Sequence, residues 1–230
     1  MTSLWCLTIL LLMSCRTGTA DDQVTGTQKY SEAFSNLLYV LNGKFSDLRL
    51  VEAYKNIDDP DVDVPIAEVL MAMPVEIPAL APAVTYFMEE YFERTLLRRL
   101  ISVLWENSNG EMFMQPYNIT SPSNNMSRSF TQDQIKLLTW NDLKTRQECK
   151  AKFERKGLHT FTSFLPDCDD KENGVVPKYV MTWSCNSLLF IANNPNQDEY
   201  SAAPIVNIRE SSRFPFPPYL KEVEDKVSCE

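Results

Sequence analysis

The sequence predicts a predominantly β fold, a barrel with a helix beside it, built as a single domain. Three observations carry that prediction. Stretches with apolar residues alternating at period two recur at Tyr86 to Leu104, Glu111 to Ile119, Leu158 to Phe164 and Tyr179 to Ile191. Turn signals separate them, above all Asn107-Ser108-Asn109-Gly110 and Lys156-Gly157. The 230 residues suit one barrel with a sizeable core, and helical patterning is confined to one or two short segments.

The chain opens on an apolar run from Leu4 to Met13, followed by Gly18-Thr19-Ala20, small residues of the kind a signal peptidase requires. Residues 1–20 therefore read as a secretory signal, and 21–230 as the secreted, extracellular domain. The n-region lacks Lys and Arg, a departure from the usual pattern, but the run is too short to anchor in a bilayer. No later segment is long and apolar enough to be a membrane helix. The formal charge of −9 becomes −10 once Arg16 leaves with the signal. So acidic a chain is a poor partner for nucleic acid or an anionic membrane.

Within the domain, Tyr30, Phe34, Leu37, Leu38 and Leu41 recur at helical spacing until Asn42-Gly43 stops the pattern. Lys44 to Tyr54 reads as a first strand. Asn56 to Asp63 is an acidic loop without the glycine and terminal glutamate of an EF-hand, so it reads as solvated. Pro65 to Pro82 is apolar, yet Pro74, Pro78 and Pro82 exclude a continuous helix and leave room only for a short or edge strand.

Thr131-Gln132-Asp133-Gln134 fits a capping box and predicts a short helix over Ile135 to Leu143. Cys149 to Phe153 and Leu158 to Phe164 read as a hairpin about Lys156-Gly157. Tyr179 to Ile191 reads as one strand with Tyr179, Met181, Trp183, Cys185 and Leu189 on one side, and the proline-rich Phe214 to Tyr219 favours extended structure.

The stretch from Tyr86 to Leu104 is the most informative. Alternation puts Phe87, Glu89 and Tyr91 on one face of a strand, and Arg99, Ile101, Val103 and Trp105 on one face of the next. With a turn near Glu93 to Leu96, Glu89 and Arg99 meet inside the fold, where a hydrogen-bonded pair survives and a lone charge does not. Such a pair reads either as the lining of a cavity for a polar ligand or as a buried structural ion pair.

Cys6 and Cys15 leave with the signal, and an even set, Cys149, Cys168, Cys185 and Cys229, remains in an oxidising compartment. Of three connectivities we expect Cys149–Cys168, which brackets the hairpin and contributes about 3 kcal/mol by loop entropy, with Cys185–Cys229 pinning the tail. Asn118-Ile119-Thr120 and Asn125-Met126-Ser127 are glycosylation sequons in a Ser/Asn-rich stretch that reads as an exposed loop. His159 is the sole histidine, which gives zinc sites and most catalytic triads little to build on, and it reads as an ordinary strand residue. No metal site and no catalytic residue is assigned.

The order of these features resembles the phycobiliprotein chromophore lyases of the CpcT/CpeT type. Leu37-Leu38-Tyr39-Val40-Leu41-Asn42-Gly43-Lys44-Phe45-Ser46 is similar to that family's Leu-rich helix with its glycine and Phe-Ser entry. Pro65-Ile66 sits where the family has Pro-Ile. Phe87-Met88-Glu89-Glu90 resembles Tyr-Val-Glu-Gln, and Leu97-Arg98-Arg99-Leu100-Ile101 resembles Arg-Gln-Arg-Val-Tyr, with Leu97 in place of the first arginine and Ile101 of the tyrosine. Cys149 and Cys168 are similar to the family's two cysteines, with Glu148 in place of a glycine. The likeness covers most of the mature chain up to about Cys168.

The resemblance implies an antiparallel, lipocalin-like calyx, with an N-terminal helix and a short additional helix, around a cavity for a linear tetrapyrrole. It makes Glu89, Arg99 and Tyr91 ligand-binding residues, Arg99 pairing with a bilin propionate. The function expected is a secreted, non-catalytic binding protein for a bilin or a similar hydrophobic, carboxylate-bearing ligand. The alternatives are an extracellular-matrix protein, for example in a mineralised material, and a bilin lyase. Members of the family often self-associate, so a homo-oligomer and matrix components join the small hydrophobic ligand as expected partners.

Overall fold

A computed structural model describes residues 30–57, 68–92, 94–121, 124, 128–145, 150–165, 178–193 and 205–229. They form a closed antiparallel barrel with a few short helices. The elements are α1 (Glu32–Leu41), β1 (Gly43–Ser46), α2 (Leu48–Lys55), β2 (Glu68–Val75), β3 (Val84–Phe92), β4 (Thr95–Glu106), β5 (Met112–Ile119), α3 (Gln132–Lys136), β6 (Leu143–Lys144), β7 (Ala151–Gly157), β8 (Thr160–Leu165), β9 (Lys178–Trp183), β10 (Ser187–Asn193), β11 (Ile205–Arg209) and α4 (Lys221–Lys226). Of the 11 strands among the described residues, β6 alone lies outside the ring, which runs β4-β3-β2-β1-β11-β10-β9-β8-β7-β5 and closes by pairing β5 with β4. The expected signal at 1–20, the acidic loop at 58–63, Cys149, Cys168 and Asn125 lie outside the described residues.

The leading helix starts where Ser31 accepts a hydrogen bond from the Phe34 N–H at 3.0 Å. Its apolar face, Phe34, Leu37, Leu38 and Leu41, plugs one end of the barrel against Val84, Tyr86, Leu104, Phe153 and Phe161. The buried Tyr86 hydroxyl donates to the Leu38 carbonyl at 2.6 Å. Two arginines take the orphan carbonyls at the helix C-terminus: Arg209 donates to Val40 at 2.8 Å and to Asn42, and Arg213 donates to Tyr39 at 3.0 Å. Arg209 lies over the Phe45 ring, and burial together with Arg213 draws its pKa down to about 10. The glycine after Asn42 is required here, because a Cβ on Gly43 would run into the Arg209 guanidinium.

Several elements differ from the sequence expectation. Lys44 to Tyr54 is not one strand: β1 stops at Ser46 and α2 follows, with Val51 as its buried residue. Asp47 makes the corner, its carboxylate accepting the Glu68 N–H at 2.7 Å. The strand with Pro74 is neither short nor at an edge, since β2 has eight residues and sits between β1 and β3. The proline is tolerated because β1 begins opposite Ala72, leaving β2 a strand neighbour on one side only at Pro74.

Tyr179 to Ile191 is two strands. Ser184 turns the chain by accepting the Ser187 N–H at 3.1 Å, and this shifts the phase so that Leu188, not Leu189, is buried with Trp183. The hairpin of β7 and β8 turns at Leu158 and His159, just beyond Lys156-Gly157. The capping box of Thr131 and Gln134 is present, but α3 ends at Lys136, and a 3-10 turn at Trp140–Asp142 follows. The extended tail is followed by the 3-10 turn Pro218–Leu220 and α4, which bury Leu220 and Val223 in the main core.

Candidate functional site in the barrel

Alternation gives β3 and β4 two faces, and both are buried. One face looks into the barrel. The other, with Phe87 and Ile101, lies beneath the excursion from Ile119 to Leu143, which lays Phe130, Ile135 and Leu138 against it.

Glu89 and Arg99 face each other across the β3–β4 ladder and meet as the sequence suggests. Arg99 Nε donates to Glu89 Oε1 at 2.7 Å, with the two side chains 1 % and 9 % exposed. The second carboxylate oxygen accepts the Tyr91 hydroxyl at 2.7 Å, and burial with that bond pushes Tyr91 up to about 12. The guanidinium also donates to Asn124 Oδ1 and the Arg128 carbonyl, both at 3.0 Å, and lies 5.2 Å from the Phe130 ring centroid. This cluster therefore staples the 119–143 excursion onto the barrel wall, on the face away from the cavity.

The cavity inside the barrel measures about 120 Å³. Its apolar lining comes from Leu70, Met88, Leu100, Met114, Met181, Trp183, Leu188 and Phe190. Glu68, Glu90 and Arg98 stand at the end remote from α1, with Ser102 and Asn207 on the wall. Arg98, whose side chain is 58 % exposed, is ion-paired with Glu90. Asn207 hydrogen-bonds the Glu68 side chain. The buried atoms Glu68 Oε2, Asn207 Oδ1 and Trp183 Nε1 have no hydrogen-bond partner among the described residues. Their residues all line this one cavity.

Burial, with the charge of Glu90 behind it, raises the Glu68 carboxyl above its ordinary range. Such a group favours the folded state while protonated; that contribution is full below the unfolded pKa and lost as pH rises through the folded one. Glu68→Gln is therefore expected to melt above the parent protein at neutral pH, the gap closing as pH falls into the carboxylate range. A pH series of thermal melts checks this, and a gap widening in acid would contradict it.

Elsewhere, Cys185 and Cys229 are joined as a disulfide, the expected pin of the tail. His159 lies beside it in the β7–β8 turn, with both sulfurs already committed to each other. Asn118 is exposed in β5, where it pairs with Lys144, so this sequon starts in a strand end rather than a loop. No helix among the described residues is long and apolar enough to cross a membrane.

Sequence reasoning found the charged pair on the covered face and missed Glu68, Glu90, Arg98, Trp183 and Asn207. The signal available was the second alternation in the same stretch, Tyr86, Met88 and Glu90 against Arg98, Leu100 and Ser102. No protein-family model matches this chain, and no curated protein matches it at a significant level.

Proposed function

We propose that the chain is a secreted, non-catalytic carrier whose barrel holds one small apolar molecule with its polar end at Glu68, Glu90 and Arg98. The observation that carries this reading is the set of three buried, partnerless polar atoms around one apolar cavity. Each such atom costs about 1–3 kcal/mol, and a site that keeps three of them is built for something that completes them. The volume is near the roughly 150 Å³ of cavities that take a benzene-sized guest, and below the roughly 300–1,000 Å³ of drug-sized sites. A linear tetrapyrrole, the ligand implied by the resemblance to chromophore lyases, would enter only with the mouth opened. A compact aliphatic ligand fits the cavity as it stands.

Ser102, fully buried with its hydroxyl 3.0 Å from Met88 Sδ, offers a place to fill the cavity from within. Calorimetric titration with n-hexanol is expected to show one saturable site. Ser102→Leu is expected to weaken it by about tenfold or more, through lost volume, while retaining a cooperative melt. Absence of saturable binding to the parent protein would contradict the proposal.

A further inference from the structure

Resting on that reading of the cavity, we propose that its ligand is an aliphatic amine, bound as the ammonium, with the cation held by Glu68 and Asn207. Of the three atoms without a partner among the described residues, two are acceptors, Glu68 Oε2 and Asn207 Oδ1, and one, Trp183 Nε1, is a donor. The two acceptors belong to side chains already in hydrogen-bond contact, because the Asn207 amide holds Glu68. Asn207 is only 1 % exposed, so bulk water does not supply the donor its oxygen lacks.

The charges point the same way. Two carboxylates, Glu68 and Glu90, stand against one guanidinium, and Arg98 is committed to Glu90. A carboxylate ligand would face both acids and would have to draw Arg98 from its partner. An ammonium neutralises the excess charge and supplies three donors, enough for the two acceptors Glu68 Oε2 and Asn207 Oδ1. Leu70, on the strand that carries Glu68, and Leu188, paired with Asn207 across β10 and β11, give its tail an apolar lining.

The test compares hexylamine, n-hexanol and hexanoate on the whole protein at neutral pH by calorimetry, so that tail length is constant and only the head changes. Hexylamine is expected to bind at least about tenfold tighter than hexanol, the scale of one charge-assisted hydrogen bond, with hexanoate weakest. Glu68→Gln is expected to cost hexylamine at least about tenfold more than it costs hexanol, so that the advantage of the amine is lost. Hexanol binding as tightly as the amine, or hexanoate binding tightest, overturns the amine assignment and leaves the cavity reading intact. Binding of none of the three overturns both. The ranking on the parent protein decides by itself should the variant fail to fold.

Discussion

Replacing Arg99 by alanine is expected to destabilise the protein by about 3–5 kcal/mol, because it strands the Glu89 carboxylate in a buried setting beside the Tyr91 hydroxyl, without its cation. The loss also releases the bonds to Asn124 and Arg128 and the packing of the guanidinium over Phe130, which hold the 119–143 excursion to the wall. For a chain of this size the melting temperature should fall by roughly 6–20 °C. The double replacement Glu89→Met with Arg99→Met is expected to recover most of that, since it removes the desolvated charge together with its partner. Hexanol affinity in the folded fraction should not move, because Leu100 and Met88, not Arg99 and Glu89, line the cavity. Loss of binding in a variant of unchanged stability would return Arg99 and Glu89 to the ligand.

The second large effect is expected from Cys185→Ser with Cys229→Ser. The bond links residues 44 apart, and the chain-entropy estimate for a loop of that length is about 4 kcal/mol. Its removal leaves α4 held by Leu220 and Val223, which are buried in the main core. Amide exchange in Lys221–Lys226 should then proceed by local opening before the barrel unfolds. A double variant that melts like the parent protein, with exchange in that helix unchanged, would contradict this account of the tail.

What the sequence made legible is what local chemistry determines. Ser31 and the apolar stripe behind it define α1. Asn107 and Gly110 define the β4–β5 turn, in which Gly110 adopts a φ of +77° and the Asn107 side chain accepts from the Asn109 and Glu111 N–H groups. The reciprocal bonds of Thr131 and Gln134 start α3. What it hid depends on tertiary neighbours. The β9–β10 turn, Ser-Cys-Asn-Ser, contains neither glycine nor proline, so the run on either side reads as one strand. Val206 and Ile208 of β11 are exposed while Asn207 is buried, the reverse of the usual pattern, and the strand is invisible to hydropathy.

The site was hidden for a related reason. A strand covered on one side shows by its polar residues which side faces the core. Because β3 is buried on both, with Phe87 and Met88 equally enclosed, alternation identifies two charged rows and cannot say which looks inward. Glu89 and Arg99, which the sequence reading put at a ligand, lie on the covered face, and Glu90 and Arg98 beside them line the cavity.

The most direct test of the central claim is a methyl spectrum of the protein labelled with ¹³C-methyl methionine, recorded as n-hexanol is added. Met88, Met114 and Met181 line the cavity, whereas Met71 and Met73 pack with the cluster on the opposite face. The account predicts that the first three signals move together and saturate while the last two stay in place. Signals that do not move, or movement confined to Met71 and Met73, would contradict a ligand site inside the barrel.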